Sequence, residues 1–233
     1  MTTLTTTRTA PLDVARLSTR FGVAFGVCQI ATMVAMTIFV LPHGGPPGVD
    51  FDRGQGVHDA ADLYRAGNYV FMVSGVLLLG FLGAVATRLR RIDATGTLAA
   101  VAVAAGAILA LVWPFAGVLH DVALDTADAG TDLRILAGWD SIAPYSLAFS
   151  ALPRLFFVGA LVLALRAAGT SPWLVRAGAV ILVLSAAGSA TVVSGAMFPL
   201  LALSTLGYEL WIVALAVTWL RDAGAPDTSA DRR

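Results

Sequence analysis

The chain has 233 residues, 58% of them hydrophobic and only 13% charged, against roughly 45–50% and 25% in an ordinary soluble domain. Fifteen Arg balance fourteen Asp and one Glu, with no Lys, so the net charge is zero and the basic footprint of a nucleic-acid binder is absent. The single cysteine, Cys28, excludes a disulfide framework and a paired-cysteine zinc or redox motif.

The apolar residues fall into runs. A helix needs about 20 mostly apolar residues to cross a bilayer, and six stretches qualify: 21–41, 67–89, 98–119, 142–165, 173–197 and 200–220. The first follows Arg8, Arg16 and Arg20 but is longer than a signal-peptide core and ends in Pro42-His43-Gly44-Gly45-Pro46-Pro47, without a small-residue cleavage site. It reads as a retained helix, opened by Gly22-x-x-x-Gly26, a spacing that lets helices approach closely. The Gly/Pro cluster then marks a loop without regular structure. Phe198 and Pro199 alone separate the last two spans.

The expected fold is therefore all-α, a polytopic bundle of six transmembrane helices over 19–221, with disordered tails at 1–18 and 222–233. Segments 90–97 and 166–172 are short, whereas 42–66 and 120–141 are long for connections in a compact domain. Orientation follows arginine. With both termini cytoplasmic, that side holds Arg8, Arg16, Arg20, Arg88, Arg90, Arg91, Arg166, Arg176, Arg221, Arg232 and Arg233, while the outer loops hold Arg53, Arg65 and Arg134. Acids show the reverse bias, five inside and nine outside, so zero net charge resolves into +6 and −6 across the cell membrane.

One pair remains. Arg154 lies midway along the fourth span and Glu209 midway along the sixth, where an unpaired charge costs at least about 2.5–3.5 kcal/mol. These two spans run in the same direction, at depths differing by about one turn, so the expectation is that each charge neutralises the other through a bidentate contact. Ser150 and Thr205 each lie four residues before a charge, on the same helical face; Ser204, Tyr208 and Trp211 form an adjacent stripe. Pro114, after Trp113, and Pro153 free the carbonyls of Ala110 and Phe149, which suits helices that meet a neighbour or line a cavity. Spans three, four and six are thus the expected walls of a midplane pocket. An interhelical clamp with no ligand fits the same residues.

The outer loops carry His58-Asp59 with Asp62 and His120-Asp121 with Asp125, joined by His43. Imidazole and carboxylate suit Zn, Mn or Fe, and His58, Asp62, His120 and Asp121 are the candidate ligands; a solvated acidic face accounts for the same spacing. Gly130 is expected to stop any helix through the acids of the second loop. Phe156, Phe157, Trp173 and Trp219 read as lipid-facing or interfacial aromatics. No Walker loop, dinucleotide fingerprint, HExxH or GxSxG occurs, so no cofactor is expected.

The six spans, the turn Asp62-Leu63-Tyr64-Arg65-Ala66-Gly67-Asn68, the cluster Arg88-Leu89-Arg90-Arg91, and the ending Leu206-Gly207-Tyr208-Glu209-Leu210-Trp211 through Trp219-Leu220-Arg221 resemble a family of actinobacterial six-helix integral membrane proteins without an assigned activity. That resemblance implies topology over about residues 15–221. A looser similarity is to membrane-embedded terpene cyclases, which implies an acid that protonates a prenyl chain, although Glu209 is the only intramembrane acid here.

Three functions follow as expectations. One is a transport-like or small-molecule-binding protein with membrane lipid and an apolar small molecule as partners. Another is an intramembrane enzyme on a lipid or prenyl substrate, with Glu209 as general acid and Tyr208, Trp211 and Trp113 steadying cationic character. The third is a structural membrane subunit.

Overall fold

The computed structural model describes residues 13–35, 38, 51–140 and 142–222, apart from the side chains of 142–144. Eight α-helices follow in order: α1 Val14–Ala35, α2 Phe51–Asp59, α3 Ala61–Ile92, α4 Thr97–Asp128, α5 Leu133–Asp140, α6 Ile142–Ala167, α7 Pro172–Ser189 and α8 Phe198–Asp222. The described residues contain no strand, and six helical stretches are long and apolar enough to cross a membrane. The all-α six-span bundle expected from the sequence is the observed fold.

Several boundaries differ from the hydropathy pattern. Helix α1 already runs from Val14, inside the segment expected to be a disordered tail, because Ser18 and Gly22, one turn apart, form a face that packs on α3, Gly22 against the Phe81 ring. The Ser18 hydroxyl donates to the Gly80 carbonyl and accepts from the Ala84 N–H at 2.7 Å. Asp222 is likewise helical. The Gly/Pro cluster, His43, the far end of the first expected span and both chain ends lie outside the described residues. The two long connections are not bare loops: α2 and α5 form within them. Gly130, at φ +94°, stands just past the end of α4 at Asp128, as its freedom to adopt that conformation predicts. The fifth span stops at Ser189, and two short 3₁₀ turns, Ala190–Val192 and Gly195–Met197, lead into α8. Pro199 occupies the first turn of α8, where its missing N–H costs nothing.

Each spanning helix packs against its sequence neighbours, and α8 closes the ring on α1. Helix α6 also touches α3 and α8 across the ring. In a bilayer apolar burial between helices gains little over lipid contact, so close steric fit and polar contacts must fix the packing. One lock is legible. Pro114 deprives the Ala110 carbonyl of its helical donor, and Gly75 of α3 lies directly against that carbonyl and the Pro114 ring, so any Cβ there would collide with both.

Consecutive aromatics part company because an α-helix turns 100° per residue. Phe156 is exposed to the surroundings while Phe157 is fully buried in the main core. Trp219 is also a core residue rather than an interfacial one, tilted against Phe81 at 5.7 Å. Outside the ring, α2 and α5 pack together over Val57, Tyr64, Leu124 and Leu136 and cap one end of the bundle.

Candidate functional site

Arg154 is 1% exposed, one of the largest fully buried side chains. Its Nη2 donates to the Ser150 hydroxyl at 3.0 Å, and its Nη1 donates to Thr205 at 3.0 Å and Ser204 at 3.2 Å. The hydroxyls can accept because their own protons are already placed: Ser150 donates to the Leu147 carbonyl, and Ser204 and Thr205 donate to that of Leu201. The guanidinium charge is thereby relayed through hydroxyls to helix carbonyls, and the Tyr208 ring lies 5.0 Å from its centre, a favourable cation–π distance.

The expected bidentate contact with Glu209 is not formed; no ion pair within 4.0 Å joins the two among the described residues. Arg154 instead reaches α8 one turn earlier, at Ser204 and Thr205. Neutral oxygens there hold the cation, although Glu209 is itself buried at 2% exposure. Ser150 acts as anticipated, but Thr205 serves Arg154 and not Glu209.

The centre is incompletely matched. Arg154 Nε, Tyr208 Oη, Glu209 Oε2, Ser185 Oγ and Gln29 Oε1 are buried without a hydrogen-bond partner. Packing register puts them near one level. Gly26 of α1 meets the Glu209 carbonyl, one helical turn before Gln29. Gly188 of α7 meets Leu201 and Ile181 meets Gly207, which brackets Ser185 at the level of Ser204. Gln29 Nε2 is satisfied by Ser74 Oγ at 2.9 Å, so only its oxygen is open. Buried polar groups are overwhelmingly paired in native proteins; these five open atoms come from four helices, and His120 Nε2 is open in the same way at the capped end.

The other aromatics are committed elsewhere. Trp211 Nε1 donates to the Leu174 carbonyl of α7 at 2.9 Å, and Trp113 stacks on Phe71 at 5.1 Å. Tyr208, Trp211 and Trp113 therefore do not surround Glu209 as a common wall. Trp113 borders a separate cavity of about 40 Å³ nearer the α2–α5 cap, together with Tyr64, Asn68, Phe71, His120 and Trp139.

The candidate metal ligands are placed apart. His58 Nε2 is 3.0 Å from Asp128 Oδ1, whereas Asp62 is fully exposed and 3.9 Å from Arg65. His120 and Asp121 are consecutive in α4 and diverge: Asp121 accepts from Asn68 at 2.7 Å, while the His120 ring packs on Tyr64 at 4.8 Å and lies 3.4 Å from Asp140. Among the described residues no group of three His, Cys, Asp or Glu is gathered as a metal would need. Arginines take the carboxylates instead. Arg53 is ion-paired with Asp140, both buried, and Arg65 bridges Asp125 at 3.0 Å and Asp128 at 2.7 Å.

The sequence gives no site role to Asn68, Arg53, Gln29 or Ser185. Gln29 carried the only usable signal, an amide midway along an apolar run. Comparison of the chain with protein-family models, with curated proteins and with solved structures gives no match to any of them.

Proposed function

We propose that the chain is a multi-pass protein of the cell membrane, with both termini cytoplasmic, that binds a small polar or ionic molecule at the centre of its bundle as the binding step of a transport-like activity. The observation that carries this is the set of buried polar atoms without a hydrogen-bond partner on α1, α6, α7 and α8, Arg154 Nε among them. A clamp serving only to fix packing gains from satisfying its own groups, because each buried orphan costs about 1–3 kcal/mol. A ligand complementary to this set supplies an acceptor to Arg154 Nε and donors to Glu209 Oε2 and Gln29 Oε1, with the Ser185 and Tyr208 hydroxyls free to adopt either role. Small amides and amino acids have that mixture, and they match the open atoms better than an apolar molecule does.

The test is thermal unfolding of the detergent-purified protein against a panel of small amides, amino acids, carboxylates and amines. At least one class should raise the unfolding temperature of the wild type and lose that effect in Tyr208→Phe or Glu209→Gln. If no panel member shifts the wild type and Tyr208→Phe is at least as stable as the parent, the centre is a packing element. That second reading, a structural membrane subunit, draws on the bond from Trp211 to Leu174 and the three hydroxyls that hold Arg154.

A further inference from the structure

At the end of the bundle opposite the α2–α5 cap, the ends of α3, α6 and α8 enclose a crevice of about 220 Å³. Its polar lining comes chiefly from Arg88, Arg91 and Asp222, and its apolar lining includes Leu161, Leu165 and Ile92. We propose that this crevice binds the phosphate headgroup of an anionic glycerophospholipid.

The two arginines are prepared differently. Arg88 is fixed from behind: Nη2 donates to the Trp219 carbonyl at 2.7 Å, its guanidinium lies 4.8 Å from the centre of the Trp219 ring, and Nη1 is 3.9 Å from Asp222. It presents a guanidinium whose ordering is complete before any ligand arrives. Arg91 is exposed and has no hydrogen-bond or ion-pair partner among the described residues. Asp222 offsets one of the two cations and leaves a single positive charge, which matches the single negative charge of a phosphodiester. Below the arginines, Leu161 and Leu165 are buried core residues of a spanning helix, and Ile92 at the rim is 40% exposed. A basic rim over an apolar floor at helix ends has the same polarity as a phospholipid at the membrane interface, the setting in which basic pockets between spanning helices take lipid headgroups. Soluble phosphate would use the arginines but gain nothing from the floor.

Arg90 provides the control. It is also an exposed cation on the same helix end but does not line the crevice. Thermal unfolding of the full chain in neutral detergent would be followed while phosphatidylglycerol, phosphatidylcholine or soluble glycerol phosphate is titrated. Phosphatidylglycerol should raise the unfolding temperature of the wild type and of Arg90→Ala equally, phosphatidylcholine should do so in neither, and Arg91→Ala should need about fivefold more phosphatidylglycerol for the same shift. Three results overturn the proposal: equal weakening in Arg90→Ala and Arg91→Ala, which indicates diffuse charge attraction; an equal shift from soluble glycerol phosphate, which indicates a free anion; and no shift of the wild type by phosphatidylglycerol.

Discussion

Replacing Thr205 with Val tests whether hydroxyls of α8, and not the Glu209 carboxylate, hold the buried guanidinium. Val keeps the branching and approximate size of Thr and removes one acceptor of Arg154, whose Nη1 bond to it is 3.0 Å. The Leu201 carbonyl that Thr205 also caps keeps its backbone donor in the helix. A hydrogen bond from a charged donor contributes about 1.5–3 kcal/mol, so Thr205→Val should cost about that much. Arg154→Met forfeits three such bonds, about 4.5–9 kcal/mol, but removes a cation from mid-bilayer, which returns about 2.5–3.5 kcal/mol; its net cost should fall within about 1–6.5 kcal/mol. In the Arg154→Met background the Thr205 hydroxyl has no cation to serve, so Thr205→Val should cost close to nothing. The coupling in this double-mutant cycle should thus be about 1.5 kcal/mol or more, roughly tenfold in the unfolding constant. Reversible unfolding in mixed detergent micelles, followed by tryptophan fluorescence or circular dichroism, reads all four proteins. Equal costs of Thr205→Val in the two backgrounds would refute the hydroxyl bracket, as would a Glu209→Gln change that alone abolishes the cost of Arg154→Met.

Gly75→Ala should destabilise by about 1–3 kcal/mol through collision with the Ala110 carbonyl and the Pro114 ring, and Gly75→Val by more; the same unfolding assay reads both. Asp140→Asn should cost about 3–5 kcal/mol, because it leaves Arg53 and His120 facing a neutral amide inside the cap, and limited proteolysis should then cut first in α2 or α5. Asp93, between α3 and α4, accepts from the Thr95 hydroxyl at 2.6 Å and from the Leu98 N–H at 2.9 Å, contacts that hold its carboxyl below the usual carboxylate range. A depressed carboxyl contributes stability above its unfolded pKa that is lost as pH falls. Asp93→Ala should therefore lower the unfolding temperature at pH 7, and the gap to wild type should close towards pH 3.

What the sequence could and could not reveal divides along physical lines. Spanning helices were legible because a bilayer sets a length that few other structures need. Helices α2 and α5 were not: at 9 and 8 residues they are too short to be stable alone. Helix α2 carries Gly54 and Gly56 and reads as loop by propensity. Packing of each against the other makes them helical. The importance of Arg154 was also legible, since charge in an apolar run is costly. Its partner was not, because the choice between Thr205 and Glu209, one turn apart on the same helix, depends on how far α8 slides along α6. No local pattern encodes that offset. Trp219 shows the same limit: a tryptophan near a helix end suits an interfacial belt, and only the closure of α8 onto its neighbours turns it inward against Phe81 and Arg88.

Polar contacts fix this bundle at three levels, and the degree to which they are satisfied differs between them. At the capped end, Arg53, Arg65, Asn68 and His58 each meet a carboxylate. At the arginine-rich end, Arg88 is held by the Trp219 carbonyl and ring. At the middle five buried polar atoms from four helices are open, and His120 Nε2 is open at the capped end as well; mid-bilayer is the level where water competes least and an orphaned group costs most. Around Arg154 three hydroxyls hold the guanidinium in place while its Nε stays open, so geometry fixes the middle without satisfying every group, whereas at the capped end Arg53 and Arg65 meet carboxylates directly.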